Sequence, residues 1–402
     1  MVYSNLMKTF TPTVTDGLAR AGSFETAHGT VQTPMFMPVG THGAVKGVSP
    51  LELKALGSQT VLANTYHLAL RPGEDVVKEV GGLHAFTGWQ GPMLTDSGGF
   101  QAFSLGDRTI TGRKKAAMRK VTEEGVTFRS HHDGTKHLIT PERSIEIQQA
   151  LGADVIMAFD QPVYGLSSPR DAEKAMERTH RWLDRSIAQW ESNKGDQLLF
   201  GIVQGGTHTE LHKKSAAYVV SKDLPGNALG GLSVGENKAE MWEATRSICS
   251  LLPEDKPRYF MGLGDPLDLI EAVLRGCDMF DCVAPSRLAR HGVIWQITGT
   301  AEDAFWKADT EALLQGEVKI VRANYHASAF RHDSTIFKSH PGFPEDLKHF
   351  SNATIAHYTR SEEMLAYRIL TLHNIGVLHR VCDHLRSAIA LGKTTQLREC
   401  FS

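Results

Sequence analysis

Three aspartates close short apolar runs in this chain: Asp96 in PMLTDSGG (92–99), Asp160 in DVIMAFD (154–160) and Asp281 in MFDCVAP (279–285). Glycines crowd the ends of the same and similar runs. Gly98 and Gly99 follow Asp96, Gly205 and Gly206 follow Gln204 in LLFGIVQGG (198–206), Gly230 and Gly231 interrupt ALGGLSVG (228–235), and Gly262 and Gly264 close RYFMGLG (258–264). A single Asp in such a place can simply cap the next helix or satisfy a turn. Three of them, with glycines that let a flat ligand press against the backbone, fit a reaction site better. Two buried carboxylates suit substitution at the anomeric carbon of a sugar. One attacks or shields the oxocarbenium-like centre and the other manages a proton. A third carboxylate can accept two N–H bonds from a planar heterocycle, while a Gln side chain and Gly N–H groups donate to its carbonyl. That set suits a purine with a guanine-like edge and needs no metal. These residue types reach glycosyl transfer or hydrolysis, with a nucleoside as one candidate substrate, and stop there.

Such residues need a scaffold that brings them together. The runs just named, with PMFMPVG (34–40) and TVLANTYHL (60–68), make about eight near-continuously apolar segments, as buried parallel strands require. Helical patterns fill the intervals. One is 168–191, with Ser168 as cap and Pro169 as first helical residue; another is 237–252. Alternating strand and helix over about 250 residues predicts a (β/α)8 TIM barrel, whose active face lies at the C-terminal strand ends. A doubly wound open sheet is the rival, weakened because no GxGxxG loop opens a helix after the first strand. We assign 1–300 to the catalytic barrel and 301–402 to an appended, mainly helical subdomain. In 354–391 the apolar positions Met364, Leu365, Ile369, Leu372, Ile375 and Leu378 keep helical spacing, and Gly376 is the expected break into two helices.

Bulk properties narrow the setting. With 402 residues, 41% of them hydrophobic, the chain can bury a large core. Its formal charge of −2 provides no global field for nucleic acid, though a local patch can still bind one. Five cysteines at irregular spacing (Cys249, Cys277, Cys282, Cys382, Cys400) argue against a disulfide framework and for a reducing cytoplasm. No apolar run approaches the roughly 20 residues of a membrane span.

Six blocks carry a resemblance. TDSGGFQ (95–101), VTEEGVTFRSHHDG (121–134), FGIVQGG (200–206), GGLSVGE (230–236), YFMGLGDP (259–266) and DMFDCVAPSRLARHG (278–292) resemble the signature blocks of tRNA-guanine transglycosylases, in their anticodon-acting branch. The similarity runs from about residue 10 to 300, and each block is long and specific. It implies that Asp281 is the nucleophile attacking C1′ of the target guanosine and that Asp96 is the general acid/base. It implies a base pocket of Asp160, Gln204 and Gly231 at the base edge, with Ser97, Gly98, Gly99, Gly230 and Leu232 around them. Phe100 stacks on the base, Met261 packs the other face, and Asn64 supports the carboxylates. RNA contacts fall at Gly262, Leu263, Gly264, Asp265, Pro266, Leu267 and Asp268, and at Ser286, Arg287, Leu288, Ala289 and Arg290, with both arginines as phosphate ligands. The implied partners are a tRNA anticodon loop, a 7-deazaguanine (aminomethyl precursor or queuine) and a second copy or paralogue of the chain. Readings as a DNA-directed paralogue, a non-catalytic RNA-binding subunit or a plain glycoside hydrolase are disfavoured. The SRLAR block (286–290), the two aspartates and the purine-edge set respectively speak against them.

The chain departs from the family in three places. Relatives hold zinc in the tail with three cysteines and a histidine. Here His373 matches the histidine, while the cysteine positions read Gly342, Pro344 and Leu347, and no Cys occurs between Cys282 and Cys382. A thiolate-rich zinc site is therefore ruled out, His373 is expected to be a hydrogen-bonded core residue, and no cofactor is required for the chemistry. Gln161-Pro162-Val163 after Asp160 differ from relatives, and a bulky Val45 favours a small substituent on the incoming base. The stretch 106–120, with Arg108, Arg113, Lys114, Lys115, Arg119 and Lys120, reads as a phosphate clamp. His131, His132 and His137 around an Asp133-Gly134 hairpin turn read as structural or surface residues. Metal analysis of the purified protein is expected to find well under one zinc per chain; a stoichiometric zinc would refute the tail assignment.

Overall fold

A computed structural model describes residues 10–104, 120–163 and 167–401. The stretch 106–120 thus lies outside the described residues, apart from the exposed Lys120. Eight parallel strands close into a barrel: β1 (Met35–Gly40), β2 (Val61–Ala63), β3 (Met93–Thr95), β4 (Val155–Met157), β5 (Leu198–Val203), β6 (Gly226–Leu229), β7 (Arg258–Phe260) and β8 (Met279–Cys282). Seven lie within one of the eight apolar runs, and β6 begins two residues ahead of its run at 228. Every neighbour in the ring is the next strand in sequence, and β8 pairs with β1 through Asp281 opposite Met37. The barrel expectation is met.

Alternation along the strands sorts the side chains. Met35 and Met37 of β1 point inward with Leu198, Phe200 and Ile202 of β5, and Met279 of β8 joins them. Phe36 and Phe280, one residue out of phase, face the surrounding helices. Gly226 lies beside Phe200, where a Cβ would sit 2.4 Å from the ring. An antiparallel sheet (Thr11–Asp16, Ala19–Thr26, Gly29–Thr33) covers the N-terminal end, its Phe24 and Val31 entering the interior cluster. Arg20 fastens that sheet to the start of β8, donating from Nε and Nη2 to the buried Asp278 carboxylate at 2.9 and 2.6 Å.

Helix starts follow local chemistry. Ser168 accepts from the Asp171 N–H ahead of the helix Pro169–Ser192, as the sequence predicts. The helix Lys238–Cys249 begins at a capping box of Asn237 and Glu240. None of the helices is long and apolar enough to cross a membrane, among the described residues.

The tail differs from expectation at one point. Met364–Leu391 is a single helix that passes through Gly376 unbroken. Chain reversal happens earlier, at 361–363, between this helix and Asn352–Arg360, with Glu362 at φ 56°. Gly376 is there for proximity: a Cβ would stand 2.9 Å from His340 Cβ. The long helix lies against β1, and its Val377, Leu378, Val381, Leu385, Ala388 and Ile389 share one core with Phe36 and Phe280. Residue 300 therefore does not separate two cores. A hairpin of Val293–Thr298 and Lys319–Asn324 bridges the barrel and this tail.

His373 is buried, bonds the Trp295 carbonyl through Nε2 at 2.9 Å and packs 4.9 Å from Phe337 and 5.4 Å from Trp306. Around it the residues do not fit the zinc of relatives. Gly342 holds the first of the three gap-free cysteine positions, and a Cβ there would lie 1.8 Å from the Ala55 carbonyl oxygen. Gly342→Ala is expected to lower the thermal midpoint by several degrees, on the order of 2 kcal/mol or more for an unrelieved backbone clash. Gly195→Ala, in open space, serves as the control in the same calorimetric scan.

Candidate active site

The C-terminal ends of the strands surround a cavity of about 360 Å³, lined by Asp96, Asp160 and Asp281 together with Asn64, Ser97, Phe100, Tyr259 and Met261. Each aspartate is held by a different set of donors. Asp281, on β8, receives the Tyr259 hydroxyl at 2.5 Å and the Gly262 N–H at 2.8 Å, both on Oδ1. Burial raises its pKa, and these two bonds work against the rise. Asp96, just past β3, receives the Thr65 N–H at 2.9 Å on one oxygen and the Asn64 amide on the other. Burial and the Asp281 charge together push its pKa up to about 7, against the bonds from Thr65, Gly98 and Gln101. Asp160 accepts from Gln204 Nε2 at 2.7 Å and from the Ser97 hydroxyl at 3.4 Å. Burial lifts it to about 6.

Local structure explains these positions. Asn64 ends β2 and caps the helix Thr65–Leu70, its Oδ1 accepting from the His67 N–H at 3.0 Å. With its oxygen committed to the cap, its amide N–H points at Asp96. Gly98 turns the chain at φ 75°, and a Cβ there would stand 3.2 Å from the Tyr66 nitrogen. Gly231, at φ 69°, leaves no room for a side chain because Gln204 Oε1 would be 2.6 Å away. Gln204 is thus one layer behind the lining. Its Oε1 is buried without a partner among the described residues.

The other sequence-picked residues distribute unevenly. Gly98, Gly230, Gly231 and Leu232 line the cavity, and Phe100 does so while remaining 45% exposed. Gly99 is behind the wall, its N–H bonded to Ser97 Oγ. Of the departing residues, Pro162 lines the cavity, Val163 packs behind Gly231, and Gln161 turns to Arg178 at 2.6 Å. Val45 requires a correction. It is buried among Leu53, Leu56 and Val61 and does not line the cavity, so it reads no substituent. Val39 lines the wall instead, because only the residues ending β1 face the mouth.

Among the expected RNA contacts, Gly262, Leu267, Arg287 and Arg290 are exposed and Leu288 partly so. Leu263, Gly264, Pro266, Ser286 and Ala289 are buried and shape the loops. Asp265 caps the helix Pro266–Val273 and meets Arg322 at 3.2 Å, while Asp268 pairs with Lys238.

Sequence reasoning passed over Tyr259, Thr65 and His67. A tyrosine inside an otherwise apolar barrel strand was the available signal for the first, since a buried phenol needs a partner. Among the described residues, His28, His84 and Asp154 at the opposite end form the one cluster with metal-ligand spacing. Its imidazoles stack at 3.5 Å with planes 13° apart, and both meet the Asp154 carboxylate, His28 Nδ1 at 2.8 Å and His84 Nε2 at 3.3 Å. Asp154 also accepts the Met93 and His28 N–H groups, which makes the cluster a clamp between segments.

The family profile described as queuine tRNA-ribosyltransferase matches residues 16–402. The chain belongs to this family. A relative of that name from Herpetosiphon aurantiacus is 47% identical over 95% of this chain and 89% of its own. The Deinococcus radiodurans relative is 48% identical over 93% of this chain and 86% of its own, and the one from Nostoc sp. 48% over 92% and 90%. Membership of the queuine tRNA-ribosyltransferase family makes the chain an enzyme of the pentosyltransferase class.

A carboxyl that is harder to ionise when folded has its stability intact below the ordinary pKa near 4 and loses it as pH rises to the folded value. For Asp160 that window is pH 4 to about 6. In Asp160→Asn the amide can still accept from Gln204 and donate to Ser97. The variant is expected to melt a few degrees higher than wild type at pH 8, on the order of 2 kcal/mol, with the gain fading toward pH 4. Melting curves across that range check it; a gain independent of pH would remove Asp160 as the cause.

Proposed function

We propose that this enzyme exchanges the wobble guanine of a tRNA for a 7-deazaguanine through a covalent enzyme–ribose intermediate. The observation that carries the reading is the unequal support of two carboxylates on one cavity. Asp281 takes two donors on a single oxygen, which favours the anion and leaves Oδ2 for attack. Asp96, near neutrality in pKa, suits proton delivery and removal at pH 7.

In the proposed sequence the C1′–N9 bond of the target guanosine breaks as Asp281 forms a C1′–O ester. Asp96 gives its proton to the departing guanine. It then takes the proton from the incoming base, whose nitrogen displaces Asp281 from C1′. Asp160 accepts the N–H groups of the base edge, and Phe100 offers a stacking face at the mouth. The target base leaves the anticodon-loop stack first, at a cost on the order of a few kcal/mol in single-stranded RNA. Aminomethyl-deazaguanine and queuine both remain candidates for the incoming base. No step involves a metal ion or cofactor. A cytoplasmic location suits this substrate.

A second copy or paralogue is part of the proposal. Leu51 (81% exposed) and Met364 (83% exposed) flank the Glu52–Arg368 ion pair, an apolar pair with no cover in the isolated chain.

Wild-type protein is expected to incorporate radiolabelled guanine into tRNA with G at the wobble position, and Asp281→Asn to lose both incorporation and the denaturation-resistant RNA adduct. An adduct persisting in Asp281→Asn would move the nucleophile elsewhere, and label entering DNA but not tRNA would favour a DNA-directed enzyme.

A further inference from the structure

Beside the aspartates, one sector of the mouth is built from imidazoles. His42 follows β1, His67 stands on the helix after β2, and His131 and His132 sit at the tip of the Val126–Ile139 hairpin. Ring centroids run 5.0 Å from His42 to His67, 5.4 Å from His67 to His131 and 4.0 Å from His131 to His132. His67 lines the cavity and its Nδ1 has no hydrogen-bond partner among the described residues. His42 and His132 are exposed.

The charged and titratable groups that act on His42 and His67 are cationic or protonatable. Lys46, on the loop after β1, and Arg71, at the end of the helix carrying His67, act electrostatically on His42, and neither has a carboxylate partner among the described residues. Tyr66 meets His131 Nδ1 at 3.2 Å through its hydroxyl. The nearest carboxylates are already engaged. Asp133 at the hairpin tip accepts from Thr135 N and Oγ1 at 3.1 and 2.7 Å, and Asp96 is bound by Asn64 and Thr65. Arg287 and Arg290, exposed on and just after the helix Ala284–Ala289, follow β8, the neighbour of β1.

His42, His67, Lys46 and Arg71, none bonded to a carboxylate among the described residues and placed at the edge of a cavity, call for an anion. We propose that His42, His67 and His132, with Lys46 and Arg71, form a phosphodiester-binding rim that takes up protons as RNA binds. The inference rests on the base-exchange reading above and names the groups that grip the strand on one side of the extruded nucleotide. In the free protein the neutral forms of His42 and His67 are favoured. Burial first, then the neighbouring charges, lowers His42 and brings His67 down to about 4. A phosphate placed among them reverses the sign of the local field. The bound state then holds more protons than the free state, so affinity rises as pH falls.

The test is binding of an anticodon stem-loop RNA to the full chain between pH 7.5 and 5.5 at fixed salt, with calorimetry in two buffers of different ionisation enthalpy. Wild type is expected to bind roughly three- to tenfold more tightly at the acid end, the upper value being an average uptake of about half a proton over the two pH units, and to show net proton uptake. Asp96 titrates in the same window, so the deciding quantity is the difference between wild type and His42→Ala/His132→Ala. The double variant, altered at two exposed positions, is expected to flatten the pH slope and shallow the salt dependence, with its activity loss in KM for RNA. A double variant that keeps the wild-type pH slope overturns the rim, as does RNA that fails to bind at any pH. Guanine incorporation at pH 7.5 is scored separately. Label that enters RNA without the histidine-dependent slope leaves base exchange standing and removes this inference; RNA bound without incorporation does the reverse.

Discussion

A carboxylate buried inside protein is held ionised only by donors, and the bond from Tyr259 to Asp281 is one. Burial alone would neutralise Asp281, and the hydroxyl at 2.5 Å, with the Gly262 amide, counteracts it. Tyr259 can reach only because β7 and β8 are in register, Tyr259 opposite Met279, so that its ring fills the barrel and its hydroxyl rises to the mouth. The phenol in turn is held as the neutral donor by burial and by the aspartate it serves. Core packing and site chemistry therefore share one side chain.

The same logic separates the three aspartates. Asp96 stands close enough to Asp281 to feel its charge, so the two resist ionising together, and their different donors decide which yields. Asp160 sits farther along the wall with Gln204 behind it and a glycine in front. Its raised pKa is the cost of burying a carboxylate with few donors around it. Each carboxylate gets its character from what borders it, not from its own type.

Much of this was legible in the chain because parallel barrel strands are apolar on both faces and end at polar, glycine-rich turns. All eight strands could be read as runs, and the aspartates stood out because they ended them. Less legible were contacts made by folding distance. Tyr259 looked like strand filling, since its partner lies 22 residues on and depends on register. Gly376 looked like a helix break, because nothing local announces that His340 comes within 2.9 Å of where its side chain would be. Val45 looked like a pocket residue, but it lies past the end of β1, where the loop turns its side chain into the core. His42 and His67 carried no signal separately; only the closure of β1 against β2 puts them together.

The long tail helix also bears on how the chain comes to be folded. The outward faces of the first and last barrel strands, Phe36 and Phe280, are covered by residues near the far end of the sequence, Val377 to Ile389. During synthesis those faces stay bare until residues 377–389 have been made. Asp281 lies on one of these strands, and Asp96 answers to its charge. A chain ended before residue 377 therefore leaves these apolar strand faces without that cover. The helix Met364–Leu391 is thus a late latch on the seam where the barrel closes.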